Sequence, residues 1–280
     1  MNDPFAALTE QKPTRQRGGV LFYDLETVPD ESRFPRPEQK EFESIDCLAV
    51  IAGKVDDVKS AVESCTDEDL DRLLKLESSK DKPRKGVIDT IERERSNRAG
   101  EFSAWVKEGS VNPLWCRIAA AGWAVDDGDI ESAIATNDDE ERSLIETLLS
   151  EFQRTSRRCG YNILGFDDTV IGFRCALLGI DVPFPLSRNK FRNSHAIDLM
   201  QLLFPAGSPK KCKDVARSME LEVPAGNFDG SQVYEAYLAG DNEYLDTGNS
   251  GFATIKTYVE SDVEIERELY RLFKGIFTTN

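Results

Sequence analysis

The chain has 280 residues, a net charge of −16, six cysteines and one histidine. Taken alone, so acidic a balance argues against nucleic acid, because phosphate contacts want Lys and Arg, although a carboxylate-rich metal site could sit beside a local basic track. Cys47, Cys65, Cys116, Cys159, Cys175 and Cys212 form no CxxC pair, which together with the lone His195 argues against zinc and against catalysis by several histidines.

The first 19 residues are polar and lack an apolar signal core, and no apolar run reaches bilayer length. A cytoplasmic protein with reduced, mostly buried thiols and no membrane partner is expected. Its length fits one domain, residues 1–280, carrying an insertion. "VLFYDLET", residues 20–27, has apolar residues on both faces and predicts a central strand. Prolines break the chain at 29, 35 and 37. From 38 to 112 the sequence is charge-rich with helical spacing, a helical insertion that would serve as a cap or lid.

Strand signals return after Asn112-Pro113. "CRIAAAGWAV" and "IESAIAT" flank "DDGD", a hairpin turn. "DDEERSLIETLLSEFQ" predicts a helix with acids in its first turn. "RRCGYNI" predicts a short strand, "DDTVIGFRCALLGI" a helix ending near Gly179, "HAID" a strand, and "LMQLLF" the start of a helix. "AGDNEYLDTGNSG" reads as a mobile surface loop, and a long helix covers roughly 253–277. The order predicts an α/β chain with an antiparallel hairpin followed by parallel strands.

Three places carry carboxylates where apolar residues belong. Strand side chains alternate, so Asp24 and Glu26 share a face at the strand's end, where they repel unless a positive charge sits between them. Taken alone they fit an exposed strand end equally well. On the last helix, Ile255, Tyr258, Val259, Ile265, Leu269, Leu272, Phe273 and Ile276 form an apolar stripe. Asp262 lies inside it, four residues from Tyr258. Glu266 lies at its edge, and Glu260, Glu264, Glu268 and Arg271 lie outside. A buried bridge to an arginine would also explain Asp262. In "GYNILGFDD", Asp167 faces inward with Val170, Ile171, Leu177 and Leu178, while Asp168 points a quarter-turn away. Asp167 alone reads as a helix N-cap. Together, four inward acids with no histidine or cysteine form an all-oxygen set suited to Mg²⁺ or Mn²⁺. Two such ions are a common apparatus for cutting phosphodiesters.

At these residues the sequence resembles the DEDD superfamily of 3′–5′ exonucleases. Asp24-x-Glu26, Asn162-x-x-x-Phe166-Asp167 and Tyr258-x-x-x-Asp262 match its three motifs in order, in the tyrosine subclass. "DLETVPD", "GYNILGFD", "IDLMQLL", "DGSQVYEAY" and "YVESDVEIERELYRLF" resemble the predicted exonucleases related to the proofreading domain of family-B DNA polymerases. The likeness covers 18–30 and about 113–276, leaving the insertion uncovered. The histidine subclass would place its histidine at position 257, which is Thr257. Glu266 is acidic where a neutral residue is expected.

The resemblance implies an RNase H-like fold, a mixed five-stranded sheet with helices on both faces, and a free-standing enzyme or subunit. It implies that Asp24 bridges two Mg²⁺ or Mn²⁺ ions, that Glu26 and Asp262 complete the first site, and that Asp167 holds the second. Tyr258 would orient the attacking water. Thr27, Asn162 and Phe166 would line the terminal nucleotide's pocket. The implied activity is release of nucleoside 5′-monophosphates from a single-stranded 3′ end, DNA favoured, in repair or proofreading, with a polymerase or repair partner unidentified. A non-catalytic nucleic-acid-binding or assembly subunit and an RNA-processing exonuclease are the competing readings. Residues 188–217 hold Arg188, Lys190, Arg192, Lys210, Lys211, Lys213 and Arg217 against Asp198 and Asp214, a net +5 with Phe191 among them. That suits a single-strand track, or equally a solvated loop.

Overall fold

The apolar run at Val20 builds the central strand of a mixed sheet. The computed structural model describes residues 18–36, 43–183, 186, 195–205, 207–223, 228–245 and 248–277. The polar stretch before Gly18 lies outside these, as do Arg188, Lys190, Phe191 and Arg192 of the basic track. Contacts divide the chain into two compact units, one of residues 1–29 with 110–280 and one of residues 30–109.

In the first unit the strands are β1 (Val20–Pro29), β2 (Cys116–Val125), β3 (Glu131–Ile134), β4 (Arg157–Gly160) and β5 (Ala196–Asp198). Their order across the sheet is β3-β2-β1-β4-β5. β2 runs antiparallel to β1 and β3 antiparallel to β2, while β4 is parallel to β1 and β5 to β4. The hairpin, the short strands at "RRCGYNI" and "HAID" and the mixed five-stranded sheet are all as expected. β1 runs two residues further than predicted, and its register with β2 shifts between Glu26 and Thr27, a bulge that re-aims the side chains around it.

The alternation of β1 sends its residues into two cores. Leu21, Tyr23 and Leu25 pack with Leu144, Ile145, Leu148 and Phe152 of α5 (Asp138–Arg154) and with Val170 and Ile171 of α6 (Asp167–Leu178). Phe22 packs on the other side with Val263, Ile265 and Leu269 of α10 (Gly251–Phe277) and with Leu199 and Val215. The latter two come from α7 (Leu199–Leu203) and α8 (Cys212–Ser218). Asp24 and Glu26 follow Phe22 in the alternation, so they face α10. α10 approaches β2 closely at Gly122, which pairs with Asp24. A Cβ there would lie 3.1 Å from Val263 Cγ2 and 3.2 Å from the Val259 carbonyl.

Several details differ from the sequence expectation. Leu177, placed inward, is 41 % exposed, and Leu272 and Ile276 at the end of the stripe are 46 % and 69 % exposed, while the adjacent Leu178 and Phe273 are the ones that pack on the cores. Val263, left out of the stripe, is fully buried. The expected surface loop at 239–251 carries a bridge between Glu243 and Ser250 and a buried Tyr244. Among the described residues no helix is long and apolar enough to cross a membrane.

The second unit is helical. α1 (Cys47–Ala52), α2 (Val55–Val62), α3 (Asp67–Ser78) and most of α4 (Lys85–Val111) enclose a core of Cys47, Ile51, Val58, Val62, Leu70, Leu73, Val87 and Ile91. α9 (Val233–Ala239) completes the helices of the first unit. In the last turn of α3, the fully buried Glu77 accepts from Arg84 N, Nε and Nη2 at 2.7, 2.9 and 2.8 Å and from Lys80 Nζ at 2.8 Å. Those hydrogen bonds, Arg84's first, hold its carboxyl down to about 2 against an ordinary 4.5. A depressed acid contributes stability above its unfolded value and loses it as pH falls toward its folded one. Acid unfolding followed by circular dichroism is therefore expected to weaken this unit between about pH 4.5 and pH 2 by roughly 2–3 kcal/mol. In Glu77→Gln that loss should be absent, and the variant should be weaker than wild type at pH 7.

Candidate metal centre

Three elements bring the acids together. Asp24 and Glu26 lie on β1 and Asp262 on the face of α10 that covers it. One carboxylate oxygen from each of the three lies within 4.8 Å of the others. Asp167 opens α6 and is buried. It stands outside that three-atom cluster, yet its charge acts on both Asp24 and Glu26. The N-terminus of α6 favours an anion there.

Crowded together and only partly exposed, these groups cannot all stay comfortably ionised. Desolvation pushes the Asp24 carboxyl far above its usual range, and Glu266, Glu26, Asp167 and Asp262 add repulsion. Glu26 is raised by desolvation and Asp262 and eased by Lys213. Asp167 is raised to about 8 by burial against the pull of its own backbone N–H. Asp262 is raised by burial and restrained by Lys213 and then Tyr258. The cluster therefore calls for added positive charge.

One cation already touches it. Lys213 Nζ is 2.9 Å from Asp262 Oδ1 and 3.6 Å from the centroid of the Tyr258 ring. Tyr258 also meets Phe228 edge to face, with centroids 5.1 Å apart. Burial, then Asp262, Glu26 and Asp24, drive its phenol well upward, so it is a proton donor at any working pH.

The remaining predicted site residues divide. Thr27 is buried and donates its hydroxyl to the Ser110 carbonyl at 2.7 Å. Asn162 has φ +65° and donates its N–H to Asp198 Oδ1 at 3.2 Å. Its Oδ1 folds over Gly165, where a Cβ would stand only 2.2 Å away, so a side chain at 165 would displace the Asn162 amide. Phe166 is the residue before α6, half-buried against the α5–α6 core. Thr257, at the histidine-subclass position, is exposed and bonds the Ala253 carbonyl. His195 is exposed, with Nδ1 3.4 Å from the Ser156 carbonyl.

Sequence reasoning placed Asp168 a quarter-turn from the core. It is in fact 1 % exposed. It accepts from Arg158 Nη2 at 2.7 Å, from Arg158 Nε at 3.1 Å and from the Tyr23 hydroxyl at 2.6 Å. This pair clamps the start of α6, and with it Asp167, to β4 and β1. Lys213 and Glu266 are the other residues whose place at the site needed the structure. The charge of Lys213 was visible only as part of the basic track, and Glu266 only as an acid out of pattern.

Residues 116–274 match the family model RNase_H_2, of the RNase_H superfamily. The chain belongs to the RNase H superfamily. This superfamily member matches no curated protein. Among solved structures it is similar to the family B DNA polymerase from the hyperthermophilic archaeon Pyrobaculum calidifontis. The identity is 21 % and the TM-score 0.45, over 60 % of this chain and 23 % of that one. The chain thus spans under a quarter of that polymerase's length.

Superfamily membership fits a nuclease dependent on divalent cations. The donor set is compatible with that group: it is all oxygen, it crowds several acids around Lys213, and among the described residues it keeps a buried oxygen without a hydrogen-bond partner at Glu266.

Proposed function

We propose that this chain is a 3′–5′ exonuclease that removes nucleoside 5′-monophosphates one at a time from a single-stranded 3′ end, DNA in preference to RNA. The observation that carries the reading is the convergence of Asp24, Glu26 and Asp262 within 4.8 Å, with Asp167 alongside and Tyr258 on the same face as Asp262. A binding subunit would need none of these crowded acids. Residues 38–112 are read as a helical insertion within this one nuclease domain.

Asp24, Glu26 and Asp262 would hold one Mg²⁺ or Mn²⁺, and Asp24 and Asp167 a second. When bound, the ions supply Lewis acidity toward the phosphate, the attacking water and the leaving oxygen. The reaction adds water to the terminal phosphorus and breaks its bond to the 3′ oxygen of the preceding nucleotide. That oxygen takes up a proton, and the last nucleotide leaves with its 5′-phosphate. Tyr258, protonated and fixed by Phe228 and Lys213, donates a hydrogen bond that orients the water. Lys213 holds Asp262 and limits repulsion within the acid set. Asn162 and Phe166 stand at the start of α6, where they would border the terminal nucleotide, and Thr27 shapes the same region through its bond to Ser110. Lys210 and Lys211, both exposed, would lead the single strand in.

The test is a 5′-labelled oligonucleotide, as DNA and as RNA of matched sequence, incubated with Mg²⁺ or Mn²⁺ and then with chelator. A ladder shortening from the 3′ end that stops on chelation supports the reading, and faster loss of RNA would replace DNA with RNA as substrate. No shortening of either strand with either ion overturns it. Tyr258→Phe is expected to lower kcat by about 100-fold, within the usual range for a positioned proton-handling group, while leaving the calorimetric Mn²⁺ affinity near wild type.

A further inference from the structure

Glu266 has no assignment in the chemistry above, yet it is the most deeply buried acid on α10. It lies one turn beyond Asp262 and is 2 % exposed. Its Oε1 accepts the Tyr161 backbone N–H at 2.6 Å, while Oε2 is buried with no hydrogen-bond partner among the described residues. Oε2 points at the backbone of Gly160, where a Cβ would stand 3.3 Å from it. Gly160 follows Cys159, which pairs with Phe22 of β1. The open oxygen therefore lies one strand over from Asp24, and Glu266 is the acid whose charge acts most strongly on Asp24.

A buried carboxylate oxygen without a partner is costly, and a neutral side chain of similar size would avoid that cost. Its neighbours do not neutralise it. Asp198 nearby is itself acidic and is occupied by the backbone N–H groups of Asn162, Leu164 and Gln201. Asp168 is matched by Arg158. What remains among the described residues is Asp24, Glu26, Asp167, Asp262 and Glu266 crowded together, with Lys213 in contact at Asp262, so ionising them all calls for added positive charge.

We infer that Glu266 is a positioning residue of the cation centre. It lies behind Asp24 rather than in the three-atom cluster, it fixes the Tyr161–Asp167 turn through the Tyr161 N–H, and its charge tightens divalent-cation binding. This rests on the two-cation reading of the site. Groups in that outer position commonly change metal affinity by about 10- to 100-fold when replaced.

The experiment is calorimetric titration of the full chain with Mn²⁺, for wild type, Glu266→Gln and Glu266→Thr, with thermal melting in chelator and in saturating Mn²⁺. Glu266→Gln keeps an acceptor for Tyr161 N–H and removes only the charge. It is expected to weaken Mn²⁺ at least about tenfold, to melt no lower than wild type in chelator, and to gain less from Mn²⁺. Equal affinity and an equal Mn²⁺-induced rise in Tm for Glu266→Gln and wild type would overturn the inference. So would a loss seen only in Glu266→Thr, which would leave Glu266 a mere acceptor for Tyr161. Wild type that binds no Mn²⁺ overturns both this inference and the nuclease reading. Wild type that binds Mn²⁺ but cuts no strand overturns the nuclease reading alone, and the Glu266→Gln comparison still decides the role of Glu266.

Discussion

Asp24→Asn is expected to abolish nucleotide release while making the cation-free protein more stable. Asp24 sits at the centre of the acid set, with Glu266, Glu26, Asp167 and Asp262 all acting on it. Asparagine preserves volume and the β1 pairing with Gly122, so the sheet stays intact. It removes the charge that both proposed cation sites share. The rate of 3′-end shortening should fall by at least about 1,000-fold, about 4 kcal/mol in barrier height. In chelator, losing one of several crowded carboxylates relieves repulsion, so Tm should rise, whereas the rise caused by Mn²⁺ in wild type should vanish. The opposite signs separate a site residue from a structural one. Activity within tenfold of wild type would remove Asp24 from the chemistry.

Asp168→Asn should do the reverse, damaging stability first. Asp168 is 1 % and Arg158 5 % exposed, and the guanidinium also lies over the Phe152 ring at 5.6 Å. The amide could still accept from Tyr23, but the Arg158 charge would be left buried and unmatched. Breaking such a pair costs about 3–5 kcal/mol, measurable as a lowered urea midpoint with unchanged slope. Activity should fall only secondarily, because the start of α6 carries Asp167. Replacing all three partners, Arg158→Met with Asp168→Leu and Tyr23→Phe, should recover much of the stability, since apolar groups of similar volume often substitute for buried ion pairs. A cost below 1 kcal/mol for Asp168→Asn would mean that the pair is solvated.

Much of this was written in short-range pattern. The alternation of residues 20–27, the hairpin at "DDGD" and the 3.6-residue spacing of the last helix each depend on a few neighbouring residues. The strands and their mixed sheet therefore followed from sequence, and the same periodicities marked Asp24, Glu26, Asp167 and Asp262 as acids on inward faces. The errors came where pattern meets partner. Asp168 is buried because Arg158 and Tyr23 await it, and Tyr23 lies 145 residues away. Leu272 and Ile276 are exposed because the end of α10 turns Phe273 rather than them onto the core.

By itself, then, the sequence determined the main inward face of the strands and of the last helix, because a helix or strand sets that by its own repeat. Only the tertiary structure decided what each inward group meets. It brought Lys213 onto Asp262 and Tyr258, and joined Glu266 to a backbone amide 105 residues away. The physical reason is that a buried charge is judged by its partners, and in this chain the partners come from elements far apart in sequence.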